Sequence, residues 1–553
     1  MASLSTGVRY DTSKAVDFHN LPRTYANALH LLSLLPTNRD VTSLFEVPRP
    51  KVRSRDAVDL NSRAIPEMID WMARAGYKNL ARDLAPLRCI HISGTKGKGS
   101  VSAFATAILV EEAAAGNPFI GRIGTYLSPH VVSVRERIWL DGQPISRDLF
   151  TKYVFEMWAR LSETAASADP PDEDPYGAHT KPFYFRFLTL LAYHVFLREG
   201  VRSAVIECGI GAEYDATNVL PASSVTASVV TRLGIDHTAM LGRKLSQIAW
   251  NKAGVFKPGV AAFILAPGAA EKKTDNTQTH PGESRRDQED ATDMLRTRAI
   301  QKNASAFYEI SPQNVLHWDG VPGAALPGTF QKCNMALAIA AAEHHIQTLS
   351  HNYGPALFDP NDVPANVTKA LAKATLRGRC ESVIDKTFTD SKITYLVDGA
   401  HTADSLGEVA KYFVSQSDSN GSSHRVLLFS VRDREPGELV KALVAGVGVG
   451  IAAHSPATNY DAYFEHAVFV FPPEAEAAKE ALLAIQQASP ATKSYVCHSV
   501  PAAINQIRAL AAASQGPDAG VSTEIPQRCQ VLATGSFILV RDVLRELDAD
   551  FEE

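Results

Sequence analysis

A short segment rich in glycine and lysine, Gly94–Ser100, has the composition of a phosphate-binding loop. It follows the apolar run RCIHIS, which predicts a buried strand, and precedes VSAFATAILVEEAAA, which predicts a helix. Glycines let backbone N–H groups point into one concavity, the helix N-terminus adds partial positive charge, and Lys98 adds a full charge. An ordinary glycine-rich turn is the weaker alternative. The predicted ATP-binding residues of the loop are Gly94, Thr95, Lys96, Gly97, Lys98, Gly99 and Ser100.

The spacing of this loop separates it from the ordinary P-loop, because only two residues lie between Gly94 and Gly97. The compact GTKGKGS form resembles the Mur-ligase superfamily, and within it the folylpolyglutamate synthase branch. Further segments match motifs of that family in the right order, from about Arg23 to the C-terminus. They are Leu127–His130 with Val134–Ile138, Ile206–Gly211 with Asp215–Asn218, Gly234–Thr238, Asn251–Gly254, Arg377–Arg379, Val397–Thr402 and Thr534–Ser536.

The resemblance implies a ligase that uses ATP to join L-glutamate to the γ-carboxylate of a folate, through an acyl phosphate. Amide formation from a carboxylate is uphill in water, so the acid must first be activated. The aromatic run FYFRFLTLLAYHVF and the form DGAHT point to the eukaryotic branch. Dihydrofolate synthesis is a second activity that the same scaffold supports.

The resemblance also implies a magnesium site made of Ser128, Glu207 and His237, which would neutralise the crowded phosphates. The alternative for Glu207 is a purely structural role, as a carboxylate at a strand end that pairs with a basic side chain at the surface. Imidazole is an unusual Mg²⁺ ligand. The alternative for His237 is that it does not bind the ion directly but contacts one of the ion's other ligands. The family's KAG match suggests that Lys252 is carbamylated and helps to hold a second Mg²⁺. An unmodified, solvated helix lysine is its alternative, and a monovalent cation is a further expected cofactor.

The remaining site residues are carried over from the family's motifs. Lys98, Lys252 and His401 are the predicted catalytic residues. Asn334, Arg379 and Asp398 are predicted to contact ATP, the arginine through phosphate and the aspartate through ribose. Three positions depart from the family pattern: Arg377, Met335 and Ser430. The predicted substrate-binding residues are Ser128, Pro129, His130, Arg135 and Ser536.

The elements around these motifs alternate between strands and helices, which predicts an α/β protein with mostly parallel sheets. Besides RCIHIS, the predicted strands are RSAVIEC, SVTASVVTR and VAAFILA in the first half and ITYLVDG, RVLLFSV, HAVFVF, KSYVCHS and CQVLATG in the second. We expect an N-terminal, P-loop Mur-ligase-like ATPase domain over 1–318, a linker over 319–328, and a smaller Rossmann-like domain over 329–553, with a cleft between the domains. Polar insertions near 168–182 and 268–293 are predicted to be exposed, the second also disordered.

The whole chain excludes several classes of function. It has 553 residues and a net charge of −5 without a dense basic block, so nucleic acid is not an expected partner. Apolar runs such as residues 187–197 are too short to span a bilayer. The six cysteines show no paired spacing and predict free thiols. We expect a monomer that binds folate, L-glutamate and ATP in the cytoplasm, with the mitochondrion as the alternative compartment.

Two other functions remain open from the sequence. One is a diverged paralogue with the same ATP chemistry on another carboxylate or amine. The other is a non-catalytic relative that binds nucleotide or folate. The set Lys98, Ser100, Glu207, His237, Lys252 and Asp398 argues against the non-catalytic relative.

Overall fold

The computed structural model describes most of the chain in two compact units, each with its own sheet. The described residues are 17–37, 60–266, 284–328, 330–354, 358–387, 393–416, 423–432, 435–454, 463–513 and 528–547. Unit 1 comprises Met1–His130, Val134–Pro322 and Lys332–Lys373. Unit 2 comprises Val131–Ser133, Gly323–Gln331 and Ala374–Glu553.

The sheet of unit 1 has eight strands in the order β4-β3-β2-β5-β1-β6-β7-β8. The strands from β2 to β8 in this order pair in parallel, whereas β3 and β4 form an antiparallel edge. β1, β5 and β6 are almost wholly buried, as expected of strands covered by helices on both faces. The strands are β1 (Arg88–Ser93), β2 (Arg122–Tyr126), β3 (Ile138–Leu140), β4 (Gln143–Pro144), β5 (Val201–Glu207), β6 (Val225–Val230), β7 (Ala261–Leu265) and β8 (Phe307–Ile310).

Helices cover this sheet, and one of them corrects a prediction. The segment 268–293 was expected to be a disordered insertion, yet a helix begins at Arg285, capped by Ser284, and buries Ala291 and Leu295. Residues 267–283 lie outside the described residues. The helices are α1 (Tyr25–Ser33), α2 (Leu60–Arg74), α3 (Leu80–Asp83), α4 (Lys98–Ala114), α5 (Arg147–Ala166), α6 (Tyr184–Arg198), α7 (Thr238–Leu241), α8 (Leu245–Lys252), α9 (Arg285–Gln301), α10 (Pro312–Leu316), α11 (Gln331–Ser350) and α12 (Ala365–Lys373).

The other insertion, 168–182, is exposed at first but packs against the core at its end. Thr180 and Lys181 are buried, and Trp158 donates its indole N–H to Tyr176 O at 2.9 Å. The contact with Trp158 of α5 therefore orders the end of this loop, which the polar composition of the loop did not indicate.

The sheet of unit 2 has six strands in the order β13-β12-β11-β14-β10-β9, parallel except for the antiparallel edge strand β9. The two α/β units confirm the predicted fold class. The assignment of Lys332–Lys373 to unit 1 differs from the expected C-terminal domain over 329–553. The elements are β9 (Glu381–Ile384), β10 (Ile393–Val397), α13 (Ala403–Ser415), β11 (Ser423–Phe429), α14 (Pro436–His454), β12 (His466–Val470), α15 (Glu476–Ala488), β13 (Lys493–Cys497), α16 (Val500–Ala513), β14 (Arg528–Thr534) and α17 (Phe537–Leu547).

One helix of the described chain is long and apolar enough to cross a membrane, judged by length and composition alone. Its window Pro436–Ala453 has a mean hydropathy of 1.4, and half of it is buried inside the protein. Val440, Leu443 and Val447 of this helix belong to the hydrophobic core of unit 2. We therefore interpret α14 as a core helix.

All six cysteines are free thiols, as predicted. Four of them are buried, whereas Cys333 in unit 1 and Cys497 in unit 2 are half-buried.

Candidate functional site

The glycine- and lysine-rich loop leaves the end of β1 and enters α4, as the sequence predicted. The chain that follows β6 holds its first half in place. Thr95 and Lys96 both donate their backbone N–H to Arg232 O, at 3.0 and 3.1 Å, and Thr231 Oγ1 donates to Lys96 O at 2.8 Å. These two N–H groups therefore fix the loop. The first turn of α4 follows directly, and the N-terminus of a helix is where backbone N–H groups can face a phosphate.

Two glycines of the loop are required by close contacts. A Cβ on Gly94 would lie 1.8 Å from Thr231 Oγ1, and a Cβ on Gly97 would lie 2.4 Å from Asn334 Oδ1. Both glycines also have positive φ angles, of +144° and +90°. The Asn334 side chain, at the start of α11, thus lies directly against the loop. This position is consistent with its predicted contact with ATP.

Lys252, the last residue of α8, reaches the same loop from the other side. Its ammonium group is buried, and Nζ donates to Gly94 O at 2.6 Å. Burial, with a smaller contribution from Lys98, lowers the pKa of Lys252 to about 7. The glycine of the KAG motif has its own steric reason, because a Cβ on Gly254 would lie 2.3 Å from the Glu213 backbone.

Ser128 and Glu207 are brought together at the neighbouring strand ends. Glu207 ends β5 and is paired in register with Ile92 of β1, two residues before Gly94. Its Oε2 accepts the backbone N–H of Ser128 at 3.1 Å. A buried carboxylate beside a serine and a phosphate loop offers the hard oxygen donors that Mg²⁺ prefers.

His237 lies just beyond the segment that anchors the loop. It has a positive φ of 50° and precedes α7, and its backbone N–H is bound by Asp236 Oδ1 at 2.9 Å. Its imidazole Nε2 lies 3.9 Å from Asp236 Oδ2. The carboxylate of Asp236 acts on Lys252 as a counter-charge that raises its pKa. The predicted role of His237 as a metal ligand stays a prediction.

The predicted substrate residues after β2 are held by cation and ring contacts. Arg137 Nε donates to His130 Nδ1 at 2.8 Å, and its guanidinium lies 5.8 Å from the Tyr184 ring centre. Arg135 donates to Ile145 O at 3.0 Å and lies 5.9 Å from the Tyr25 ring centre. The contact of Arg137 with His130 joins the Leu127–His130 and Val134–Ile138 segments, and the sequence motifs alone did not indicate it.

Asp215 is a residue whose role the sequence did not reveal. It is buried, and its Oδ2 accepts the N–H groups of Gly209 and Ile210 at 3.0 and 3.1 Å. Its Oδ1 accepts from Thr217 N and Oγ1 at 3.0 and 2.7 Å. Burial raises its pKa, and these hydrogen bonds oppose the rise. Asp215 thus fixes the turn that follows Glu207, and the short DATN spacing was its only signal.

In unit 2, the predicted residues meet around one phenylalanine at the ends of β10 and β14. The Arg379 guanidinium lies 4.4 Å from the Phe537 ring centre, and the His401 ring centre lies 5.9 Å from it. A Cβ on Gly399 would lie 2.3 Å from the same ring. Ser536 caps α17 by accepting the N–H of Leu539 at 3.2 Å. Phe537 is a residue that sequence reasoning missed.

Asp398 has a buried carboxylate with backbone partners on both oxygens. Oδ2 accepts Cys380 N and Oδ1 accepts Ala400 N, each at 2.8 Å. Burial raises its pKa, while Arg379 opposes the rise. These bonds join the turn that carries Arg379 to the end of β10. Asp398 therefore positions Arg379, and its predicted contact with ribose stays a prediction.

Comparison with known proteins gives a consistent set of relatives. The folylpolyglutamate synthase of Candida albicans is 35% identical over 425 residues, covering 75% of this chain and 74% of the relative. The probable folylpolyglutamate synthase of Schizosaccharomyces pombe is 34% identical over 446 residues, covering 80% and 77%. No protein-family profile matches the chain.

Solved structures resemble the fold. The ADP complex of Mycobacterium tuberculosis folylpolyglutamate synthase has a TM-score of 0.62 at 19% identity and covers 95% of this chain and 100% of its own. A folylpolyglutamate synthase with AMPPCP and folate has a TM-score of 0.58 at 22% identity, covering 95% and 100%. At these identities the likeness supports the two-unit α/β fold.

Proposed function

The chain belongs to the folylpolyglutamate synthase family, and from this we propose that it uses ATP to add L-glutamate to the γ-carboxylate of folates and their polyglutamates. One observation carries the proposal: the phosphate loop, Lys252 and the Ser128–Glu207 pair come together at the adjacent ends of β1 and β5. An open α/β sheet binds its ligands at this edge. Relatives named folylpolyglutamate synthase, and structures that hold ADP or AMPPCP with folate, support the same reaction.

In the proposed mechanism, this chain's residues hold the phosphates and shield the activated acid. The N–H groups at the start of α4 and the Lys98 ammonium would bind the β- and γ-phosphates and stabilise charge during transfer to the folate carboxylate. The glutamate amine would then attack the acyl phosphate, forming the amide and releasing phosphate. In unit 2, His401 and Ser536 would orient that glutamate.

A magnesium ion fits the donors present in unit 1. Ser128 offers a hydroxyl oxygen and Glu207 a buried carboxylate, both hard ligands, and the imidazole of His237 would contribute less. When bound, Mg²⁺ supplies neutralisation of the crowded phosphate oxygens. The residues of this chain that would hold it are Ser128, Glu207 and His237.

We also propose that Lys252 is carbamylated. Its pKa of about 7 leaves a large neutral fraction, and a neutral amine attacks CO₂, forming the N–C bond and releasing one proton. The carbamate keeps one N–H, so the hydrogen bond to Gly94 O survives the modification. Its new oxygens would be ligands for a second hard cation. A ¹³C signal from labelled bicarbonate, absent in Lys252→Ala, tests this proposal, and a plain ammonium in the active protein contradicts it.

The test of the function is product formation. Untagged protein incubated with MgATP, tetrahydrofolate and ¹³C-labelled glutamate should yield folates heavier by whole labelled glutamyl residues, with one ADP and one phosphate released per residue added. Lys98→Ala is the control, since it removes a phosphate-binding charge and no core packing, and it should retain the fold but lose turnover. ATP use with another acid or amine would favour a diverged ligase, and binding without turnover would favour a non-catalytic relative.

The compartment and the oligomeric state complete the proposal. We propose a cytoplasmic monomer, which fractionation and size-exclusion chromatography with light scattering can test. Dihydropteroate in place of tetrahydrofolate tests for a second, dihydrofolate-forming activity.

A further inference from the structure

Three potential metal ligands meet at the beginning of two adjacent strands of unit 2. His424 lies at the start of β11, Glu465 directly precedes β12, and His466 is its first residue. One donor atom from each of the three side chains lies within 4.8 Å of the other two. His424 Nδ1 is in direct contact with Glu465 Oε2. No function assigned above uses any of these residues.

The backbone holds this cluster from both sides. Glu465 N donates to Arg425 O of β11, and Glu465 O accepts from Lys493 N of β13, both at 3.0 Å. Strands β11 and β12 are parallel, and Val426 is paired with His466. Because side chains alternate along a strand, His424 and Val426 share a face, which brings the His424 ring beside that of His466. The two ring centres are 6.3 Å apart with planes 26° from parallel.

One nitrogen of the cluster has an unmet need for a partner. His466 Nδ1 is buried and makes no hydrogen bond within the described part of the chain. Buried polar atoms in native proteins are nearly always satisfied, by protein, water or an ion. This observation is independent of the convergence of the three side chains and points to a group that the protein itself does not supply.

We propose that His424, Glu465 and His466 bind a divalent ion of the zinc class. Two imidazoles and one carboxylate are a borderline donor set that suits Zn²⁺, and Mg²⁺ prefers oxygen ligands alone. A tetrahedral ion with bonds near 2 Å needs donors roughly 3.3 Å apart, which small side-chain rotations from the present spacing would reach. Water would occupy the fourth position. An ordinary His424–Glu465 ion pair without metal is the competing interpretation.

The position of the cluster separates it from the ligase chemistry. β11 runs from the cluster to Phe429, so the cluster lies at the opposite end of the strands from Asp398 and Ser536. Five residues of strand span about 16 Å. A bound ion would join the starts of β11 and β12 and stabilise unit 2, and it requires nothing of the proposed function.

The experiment titrates Zn²⁺ into untagged, full-length protein that has been stripped with EDTA, dialysed and kept free of nucleotide. Calorimetry should show one tight equivalent in the wild type that His424→Gln and Glu465→Gln lose or bind at least tenfold more weakly. Zn²⁺ should also raise the unfolding temperature of the wild type. X-ray absorption of the loaded wild type should show two imidazole ligands, a readout that does not depend on any variant.

The matched control is His498→Gln, which removes another imidazole of unit 2 that lies outside the cluster and contacts Phe471 O at 3.2 Å. It should bind Zn²⁺ as the wild type does. Unfolding temperatures in EDTA should agree between the wild type and all three variants, which shows that the fold is retained. The same Zn²⁺ stoichiometry and affinity in wild type, His424→Gln and Glu465→Gln overturns the proposal, as does a zinc shell without two imidazoles.

Discussion

At the scale of single residues, the shape of the phosphate loop depends on the missing side chains of its glycines as well as on its charges. Gly97 and Gly116 flank the same helix, α4, and have nearly the same backbone φ, +90° and +87°. A Cβ on Gly97 would overlap Asn334, whereas a Cβ on Gly116 would meet nothing within 4 Å. The two glycines therefore separate backbone strain from steric overlap.

We expect Gly97→Ala to weaken ATP binding at least tenfold, or about 1.4 kcal/mol, because either the loop or the side chain of Asn334, itself a predicted ATP contact, must shift. Gly116→Ala carries the same left-handed backbone, at a cost of roughly 1–2 kcal/mol in stability, and should keep the ATP affinity of the wild type. Calorimetric titration with ATP compares the two variants. Equal loss of affinity in both would show that strain, and no contact with Asn334, controls the loop.

Lys181 gives a second residue-scale prediction. Its ammonium is fully buried, donates to Pro175 O, Gly177 O and Thr180 Oγ1, and lies 4.9 Å from the Trp158 ring centre. Burial lowers its pKa from 10.5 to about 7. Below pH 7 the amine is protonated in both the folded and the unfolded chain, so burying the charged ammonium lowers the free energy of unfolding by its full amount. Between pH 7 and 10.5 the folded protein has released its proton first, so the free energy of unfolding rises with pH.

We expect Lys181→Met to raise the free energy of unfolding at pH 7 by about 1–3 kcal/mol and to reduce its increase between pH 7 and 9. The two carbonyls keep a donor each, since the Thr180 hydroxyl can donate its one hydrogen to Pro175 O at 2.8 Å and Gly177 O accepts the backbone N–H of Thr180 at 3.3 Å. Urea denaturation at several pH values measures the effect. An unchanged pH slope in the variant would mean that Lys181 does not titrate in this range.

At the scale of elements, the sequence predicted most strands but not every packing contact. The apolar runs that form β1, β5, β6, β7 and β10–β14 were all recognised. Buried parallel strands have nearly continuous apolar sequences rich in β-branched residues, which makes them easy to identify. The strands β2, β3, β4, β8 and β9 were missed, because they are only two to five residues long and carry little periodicity. Helix α9 was missed because its sequence is polar. Its Arg298 pairs with Glu213 at 2.6 Å and lies 4.4 Å from the Trp250 ring centre, contacts that composition cannot reveal.

The close packing of α13 and α14 is also invisible in the sequence. Gly446 of α14 lies against the backbone of Gly407 in α13, and a Cβ there would lie 2.6 Å from Gly407 O. We expect Gly446→Val to lower the free energy of unfolding by at least about 2 kcal/mol, since backbone cannot yield as a side-chain tip can. Val449→Ala, at an exposed position of the same helix, is the control and should change it by less than about 0.5 kcal/mol. Chemical denaturation of both variants measures the difference.

At the scale of the whole molecule, motifs indicated candidate site residues within each unit, while the residues that support them could not be found in this way. Ser128 and Glu207 stand 79 positions apart, and only the fold shows their contact. Phe537, Thr231 and Asp215 support the site through ring packing and backbone hydrogen bonds, and no side-chain chemistry distinguishes them in a sequence. The expected domain boundary at 319–328 stays a prediction; α11 and α12, which follow this Gly/Pro-rich stretch, group mainly with unit 1.

The two units have hydrophobic cores built from their own residues, which leads to a prediction for the whole chain. We expect calorimetry to show two unfolding transitions, since separate cores need not melt together. Gly446→Val should lower the transition of unit 2, and Lys181→Met should raise that of unit 1. A single transition shifted by both variants would contradict independent unfolding.

The distribution of thiols has a practical consequence for spectroscopy. Burial raises the pKa of all six cysteines, and the thiolate is the reactive form, so the two half-buried thiols, Cys333 and Cys497, should react first with maleimide dyes. One lies in unit 1, next to Asn334, and the other in unit 2. The natural chain therefore carries one addressable label per unit, and energy transfer between the dyes can follow the distance between units during turnover, with Cys333→Ser and Cys497→Ser supplying the single-label references.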